Sequence, residues 1–226
     1  MYQPQSGILA EVKVTGIKTI SKKEIFEQIS WNPDVPDPSA DWKKWESLLA
    51  QHPRIRSIKT SYKRGVLELF IEEREAFGIL HIGDTLYEFD EEFQIFSRND
   101  TRTVWTPVIA GDFRLSSDAF TEEGAGRGFR DNPPKVTGPL FESLWRQVVR
   151  LRREYPEIWA RISEVQRRSD GDIYLYFHEP FRCIVNLGPV LSGIQMRKLY
   201  SALAYFEAET EKVRFLDLRG EDGFYY

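Results

Sequence analysis

Three histidines, one cysteine and a glycine-rich run are the residues of this chain whose types could do chemistry, so their spacing is the first test of function. His52, His81 and His178 lie far apart and form neither His-Glu-x-x-His nor any other metal-ligand spacing. Cys183 and His178 flank one tight turn, as a thiolate–imidazole pair would. Cys183 nevertheless falls inside the expected strand Phe181–Leu187 and reads better as a small core residue. Gly124-Ala125-Gly126-Arg127-Gly128 has the glycine content of a phosphate loop, but Asp131-Asn132-Pro133-Pro134 follows where a helix should open. A flexible loop is expected there. No Gly-x-Ser-x-Gly elbow is present. Catalysis needs converging groups, and none converge here, so the expectation is a non-enzymatic protein with no catalytic residue, no metal and no cofactor.

Binding chemistry is better represented. Arg146–Arg168 holds seven arginines against Glu154, Glu157 and Glu164, and Glu72–Glu92 holds eight acids against Arg74. Both runs fit solvated faces, the arginines being favoured near a helix C-terminus. Both also fit a dipolar surface that steers partners, with Arg167 and Arg168 as a patch for an acidic peptide. Phe224, Tyr225 and Tyr226 are aromatic anchors of the kind enriched in interface hot spots, although at least one of them is expected to cap the core. The net charge of −4 and a pI near 5.6 argue against nucleic acid as a partner. A bilayer-crossing helix takes roughly 20 mostly apolar residues, whereas the longest fully apolar run is Ala202–Phe206. The start, Met1-Tyr2-Gln3-Pro4-Gln5, has no basic flank or apolar stretch of a signal peptide, so any membrane anchor is expected to be an N-terminal helix absent from these residues. A lone cysteine forbids an internal disulfide and fixes no compartment.

The elements that must position such residues follow from periodicity. Ile8, Ala10, Val12 and Val14 alternate with Leu9, Glu11, Lys13 and Thr15 in the period of a half-buried strand. Ser21 with Glu24 has capping-box spacing and Ile20 with Ile25 the hydrophobic staple, which predicts a short helix to about Ser30. A Pro/Asp loop follows over Asn32–Asp41. Trp42, Trp45, Leu48 and Leu49 then predict a second helix over Asp41–Gln51, and Ile55–Tyr62 with Val66–Glu73 a hairpin through Lys63-Arg64-Gly65. Beyond it, strands are predicted at Phe77–Leu80, Leu86–Phe89, Phe93–Phe96 and Val104–Ile109. A loop or mobile insertion is expected over Asp112–Gly138, and a helix over Pro139–Tyr155. Strands are predicted again at Ile162–Arg168, Ile173–His178 and Phe181–Leu187. A helix opened by Ser192 and Gln195 carries Met196, Leu199, Leu203 and Phe206 inward, and a strand at Val213–Arg219 ends with a turn at Glu221-Asp222-Gly223. The expected fold is α+β: an N-terminal tail (1–7), a β-α-α-β-β domain (8–75), and a mixed or antiparallel sheet domain with two helices (76–226).

In this order the pieces resemble the extracytoplasmic part of the FtsQ/DivIB family of bacterial cell-division proteins. Gly7–Ile29, with its Val14-Thr15-Gly16 step, Pro53-Arg54-Ile55-Arg56-Ser57 and Glu73-Arg74 resemble a POTRA domain. Tyr87–Phe93 resembles the family's aspartate-x-x-glycine hairpin, with Glu92 in place of the glycine. Thr106–Gly111 resembles its Leu-Pro-x-x-x-Gly step, Asn186-Leu187-Gly188 with Lys198-Leu199 its Leu-Gly and Lys-Leu segment, and Leu216-Asp217-Leu218-Arg219 its Ile-Asp-Leu-Arg strand.

The resemblance implies a scaffold at the septum, on the periplasmic face of the inner membrane. Its partners would be FtsB/DivIC-like and FtsL-like proteins, whose C-terminal segment adds to the final strand. It assigns partner binding to Arg219, Gly223, Phe224, Tyr225 and Tyr226, and to Arg168. A final strand with unpaired N–H and C=O groups is a physical template for such addition. The alternative is a POTRA protein of outer-membrane protein assembly or secretion that binds client strands.

Overall fold

A computed structural model describes residues 9–32, 34, 41–115, 136–138, 141–178, 182–209, 213–220 and 223–225. The fold is α+β, and the chain divides into two compact units. Among the described residues one unit comprises 9–75 with 90–97, and the other the remaining segments. Residues 90–97, expected in the second domain, thus pack with the first.

The first unit is strand, helix, helix, strand, strand: β1 (Glu11–Thr15), α1 (Lys22–Gln28), α2 (Trp42–Leu49), β2 (Ile55–Lys63) and β3 (Val66–Glu73). Its sheet order is β1-β3-β2, with β1 parallel and β2 antiparallel to the central strand. The Ser21–Glu24 capping box forms in full. Alternation in β3 buries Leu67, Leu69 and Ile71 against Ile25, Trp45 and Leu49, and Trp31 meets Trp45 edge-on at 5.6 Å. In β1 the expected inward set shifts at its start. Val12 and Val14 are buried, but it is Leu9 rather than Ala10 that joins them, because the regular strand begins only at Glu11. Gly16 follows at φ +83°, where a Cβ would collide with the Ile71 carbonyl oxygen. Glycine is required there.

The second unit is built on one eight-stranded sheet. Its strands are β4 (Gly78–Ile82), β5 (Thr85–Phe89), β6 (Val108–Ala110), β9 (Ile162–Arg167), β10 (Ile173–Phe177), β11 (Ile184–Asn186), β12 (Phe215–Asp217) and β13 (Phe224–Tyr225). They lie in the order β13-β12-β11-β10-β9-β6-β4-β5. The remaining pair, β7 (Arg114–Leu115) and β8 (Val136–Thr137), forms a small antiparallel ribbon. The two ends of the expected Asp112–Gly138 loop are therefore paired, and Phe113 packs edge-on against Phe141; residues 116–135, including the glycine run, lie outside the described residues. One expected strand is not formed and another is shortened, the expected Val104–Ile109 being strand only from Val108. At 93–96 only Ile95 makes a strand-type bridge, and Val104 and Trp105 form an exposed bend before β6.

One row of register partners crosses the whole sheet: Tyr225, Leu216, Val185, Leu175, Val165, Ile109, Leu80 and Tyr87. All but Tyr225 are buried. Helices α3 (Phe141–Glu154) and α5 (Gly193–Glu209) cover this face, as ring contacts of Trp145 with Phe89 and of Phe206 with Tyr225 show. A short helix, α4 (Pro156–Trp159), with proline in its first turn, links α3 to β9. The opposite face carries Gln166, Tyr174, Asn186 and Asp217 in register. Among the described residues the unit has two layers, with helices on one face of the sheet.

Candidate functional site

The two edges of the eight-stranded sheet are finished differently. In β5 the backbone groups of Phe89 turn inward, where its carbonyl accepts from Phe77 N–H at 2.7 Å, so those of Leu86 turn outward. Asn99 takes both. Its side-chain oxygen accepts from Leu86 N–H at 2.9 Å, and its N–H donates to Leu86 O at 2.8 Å. The buried Glu88 carboxylate secures the same segment by accepting from the N–H groups of Arg102 (3.1 Å) and Thr103 (3.0 Å) and from the Thr103 hydroxyl (2.5 Å). This edge is closed.

At the other edge stands β13. Leu218 N–H and Arg214 C=O bond to β11, so the even-numbered residues of β12 face β11 and the odd-numbered ones face β13. Asp217 therefore shares backbone bonds with its partner Phe224, while the N–H and C=O of Tyr225 point away from β12. Among the described residues no strand lies outside β13.

Beside β13 runs a groove of about 460 Å³ against α5. Its floor is Leu216 and Leu218, and the strand side is Gly223 and Tyr225. Small side chains, Ser201 and Ala202, open the helix side. One end is aromatic: Tyr205 meets Phe206 at 5.2 Å, and Phe206 meets Tyr225 at 5.1 Å. The other end is basic, with Arg197 and Lys198, and the Lys198 ammonium donates to the Gly220 carbonyl and so ties α5 to the turn after β12. An open edge beside an apolar groove with a cationic end fits an extended, partly acidic peptide.

On the uncovered face, Arg219 forms ion pairs with Asp217 (2.6 Å) and Asp172 (3.1 Å). The Arg219 hydrogen bond holds the Asp217 carboxyl below its ordinary range against the opposing effect of burial, and Asp217 in turn pushes Arg219 further up. Arg168 lies 3.9 Å over the Tyr174 ring and donates to Tyr176 OH (3.1 Å) and Gln166 Oε1 (3.2 Å). Arg167 does not join it. Successive strand residues face opposite ways, so Arg167 points to the helix-covered face, is 8% exposed and donates to Pro189 O at 3.4 Å. The expected Arg167–Arg168 patch is one surface arginine and one buried arginine.

Of the anticipated binding residues, the fold brings Gly223 and Tyr225 together in the groove and sets Arg168 and Arg219 on the uncovered face. Phe224 pairs with Asp217, and Tyr226 lies outside the described residues. Sequence reasoning missed Tyr205, Asp172 and Tyr174, and it quoted Lys198 and Asn186 only as motif residues, without their places at the groove's basic end and beneath Arg219. The spacing of Lys198 to the turn at Gly220 could not be read along the chain.

The residues that might have done other chemistry are dispersed. Cys183 is buried, and burial pushes its thiol up to about 11. The ring against His178 is Trp105, at 5.4 Å. His52 Nδ1 accepts from Arg54 N–H at 3.2 Å in the turn after α2. Burial raises the Glu164 carboxyl on the uncovered face, partly offset by His81. Among the described residues no group of three or more His, Cys, Asp or Glu side chains could hold a metal ion, and no helix is long and apolar enough to cross a membrane.

Neither a scan against protein-family models nor a search of curated proteins returns a match to this chain.

Proposed function

We propose that this chain is a non-enzymatic scaffold of the bacterial divisome, and that it holds a partner segment as an added strand on β13. The observation that carries this reading is the asymmetry of the sheet: Asn99 occupies the outward N–H and C=O of Leu86 at one edge, while Tyr225 turns its N–H and C=O outward beside an apolar groove at the other. Backbone bonds to Tyr225 would set register, and side chains on alternate positions of the partner would enter the groove between Tyr225 and α5. A partner carboxylate would find Lys198 and Arg197 at its basic end. The FtsQ/DivIB resemblance supplies the partner class, FtsB/DivIC-like and FtsL-like proteins, and the setting, the periplasmic face of the inner membrane at the division site. The β-α-α-β-β order of the first unit supports a POTRA domain.

The test is a calorimetric titration with the extracytoplasmic segment of the FtsB/DivIC-like protein of the same organism, for the wild type and Tyr225→Pro. Proline removes one outward donor and leaves the Phe224–Asp217 pairing intact. Binding by the wild type and its loss in a folded Tyr225→Pro protein is the expected result. A wild type that does not bind would rule the reading out. One observation favours the secretion or assembly alternative: β2 is a nine-residue edge strand of the first unit's sheet. In that case client strands would bind β2, and Tyr225→Pro would have no effect.

A further inference from the structure

The Arg219 guanidinium is engaged within the chain on all three nitrogens. Nε donates to both oxygens of Asp217 at 3.0 Å, and Nη2 donates to Asp217 Oδ2 at 2.6 Å. Nη1 donates to Asp172 Oδ2 at 3.1 Å. The same Asp172 oxygen accepts from Asn186 Nδ2 at 3.1 Å, and that nitrogen also donates to Tyr174 OH at 3.0 Å. Asn186 is wholly buried, and its Oδ1 accepts from Gly188 N–H at 2.8 Å. Both amide protons and the amide oxygen are thus satisfied inside the sheet. A Cβ on Gly188 would come within 3.3 Å of Arg219 Cγ, so the stem of Arg219 lies along the Gly188 backbone.

Two carboxylates share this one guanidinium, so a partner carboxylate approaching Arg219 meets resident negative charge first. The same groups brace the hairpin that ends in β13. Asp217 Oδ1 also accepts from Arg219 N–H at 3.0 Å, which shapes the turn leaving β12, and Lys198 holds Gly220 from the other face. In a strand as short as β13, paired through Asp217–Phe224 and Leu216–Tyr225 among the described residues, register depends on that turn as well.

We infer that Arg219 is a positioning residue, which with Asp172, Asn186 and Asp217 clamps the β12–β13 hairpin in the register that docking requires and does not itself take a partner carboxylate. The clamp is a property of the free protein; only its consequence for affinity rests on the docking reading. It also gives one physical reason for two of the motifs, Asn186-Leu187-Gly188 and Asp217-Leu218-Arg219, to occur together: they interlock side chain to backbone.

Hydrogen exchange followed by mass spectrometry on the full chain tests it, for Asp217→Asn, Arg219→Gln, Arg219→Lys and the Asn/Gln double variant. Peptides covering β13 should exchange about tenfold faster in either single neutralising variant. The double variant should be no worse than either single, since both remove the same interaction. Arg219→Lys should fall between, because one ammonium cannot serve both carboxylates as the planar fork does. Unchanged exchange in β9–β10 peptides shows that each variant is folded, and the mild, isosteric Asp217→Asn keeps the test open where Arg219→Gln unfolds. In the partner titration, Asp217→Asn should weaken binding as much as Arg219→Gln. Unchanged β13 exchange overturns the inference, as does full or tighter binding by Asp217→Asn where Arg219→Gln binds poorly. A wild type that binds no partner segment removes the docking reading, and the exchange data still decide the clamp.

Discussion

At the scale of the residue, one-position differences decide what a side chain does. Arg167 and Arg168 are neighbours in sequence, but strand alternation buries the first and leaves the second stacked on Tyr174. Arg167→Glu should cost about 3 kcal/mol or more in thermal or denaturant unfolding, because it buries a new, unpaired carboxylate. Arg168→Glu should cost about 1 kcal/mol or less, the size of an exposed cation–π contact with its hydrogen bonds. Equal losses would contradict the assigned faces. The Cys183 thiol, buried and pushed up to about 11, should react with iodoacetamide only slowly at neutral pH in the native protein and readily in denaturant. Fast native labelling would reopen a thiolate–imidazole reading with His178. The core role of Cys183 was legible from its place in the expected strand Phe181–Leu187. The Asn186–Asp172–Arg219 network was not, because its members lie up to 47 residues apart and meet only through sheet register.

At the scale of the element, local signals were read well where the element is made by local rules. The Ser21–Glu24 box, the α5 stripe of Met196, Leu199, Leu203 and Phe206, and the β3 alternation all rest on spacing within one helix or strand. Long-range capping was invisible. Glu73, at the end of β3, accepts from the N–H groups of Lys18 (2.5 Å), Thr19 (2.9 and 3.0 Å) and Ile20 (3.1 Å) and from the Thr19 hydroxyl (2.6 Å), and so fixes the turn into α1. Burial alone would raise its carboxyl, but the Thr19 hydroxyl and these amides together bring it below the ordinary glutamate range. A lowered folded value contributes stability that is complete above the unfolded value and is lost as pH falls through the folded one. Glu73→Ala should therefore destabilise by about 1–2 kcal/mol near neutral pH, with the difference from wild type shrinking as pH drops below about 4. A pH-independent difference in chemical denaturation would refute the capping role. The turn at Asp90 shows the limit of motif matching. The left-handed residue is Phe93 (φ +65°) and not Glu92, which stands where a glycine was expected. Asp90 secures that turn by accepting Gln94 N–H at 2.8 Å while pairing with Arg74 at 2.6 Å.

At the scale of the whole molecule, eight strands were harder to foresee than their individual runs. The α+β class followed from strands and helices in mixed order, but the sheet order, with β13 and β5 at its edges, depends on pairings between strands distant in sequence. Short segments such as Val104–Trp105 were over-read because β-branched and aromatic residues suit exposed bends as well as strands. The closed edge carries its own prediction. Asn99→Gly keeps the left-handed conformation (φ +51°) and removes only the side-chain acceptor for Leu86 N–H. It should cost about 1 kcal/mol and raise self-association with concentration in sedimentation velocity. A variant as monodisperse as the wild type would show that backbone bonding by Asn99 alone closes the edge.

The register row that runs unbroken from Tyr87 to Tyr225 makes the sheet a reader of parity. A segment laid against Tyr225 extends that row by one place, so its odd residues enter the groove and its even residues face the Asp217 side, or the reverse. Deleting one residue upstream of the anchor in a partner segment would exchange the two sets entirely, and deleting two would restore them one step along. On the proposed docking, such a surface would be indifferent to half of what it holds. A partner docked in that way would be free to drift at alternate positions, while a single-residue frameshift in spacing would be as severe as loss of the anchor itself.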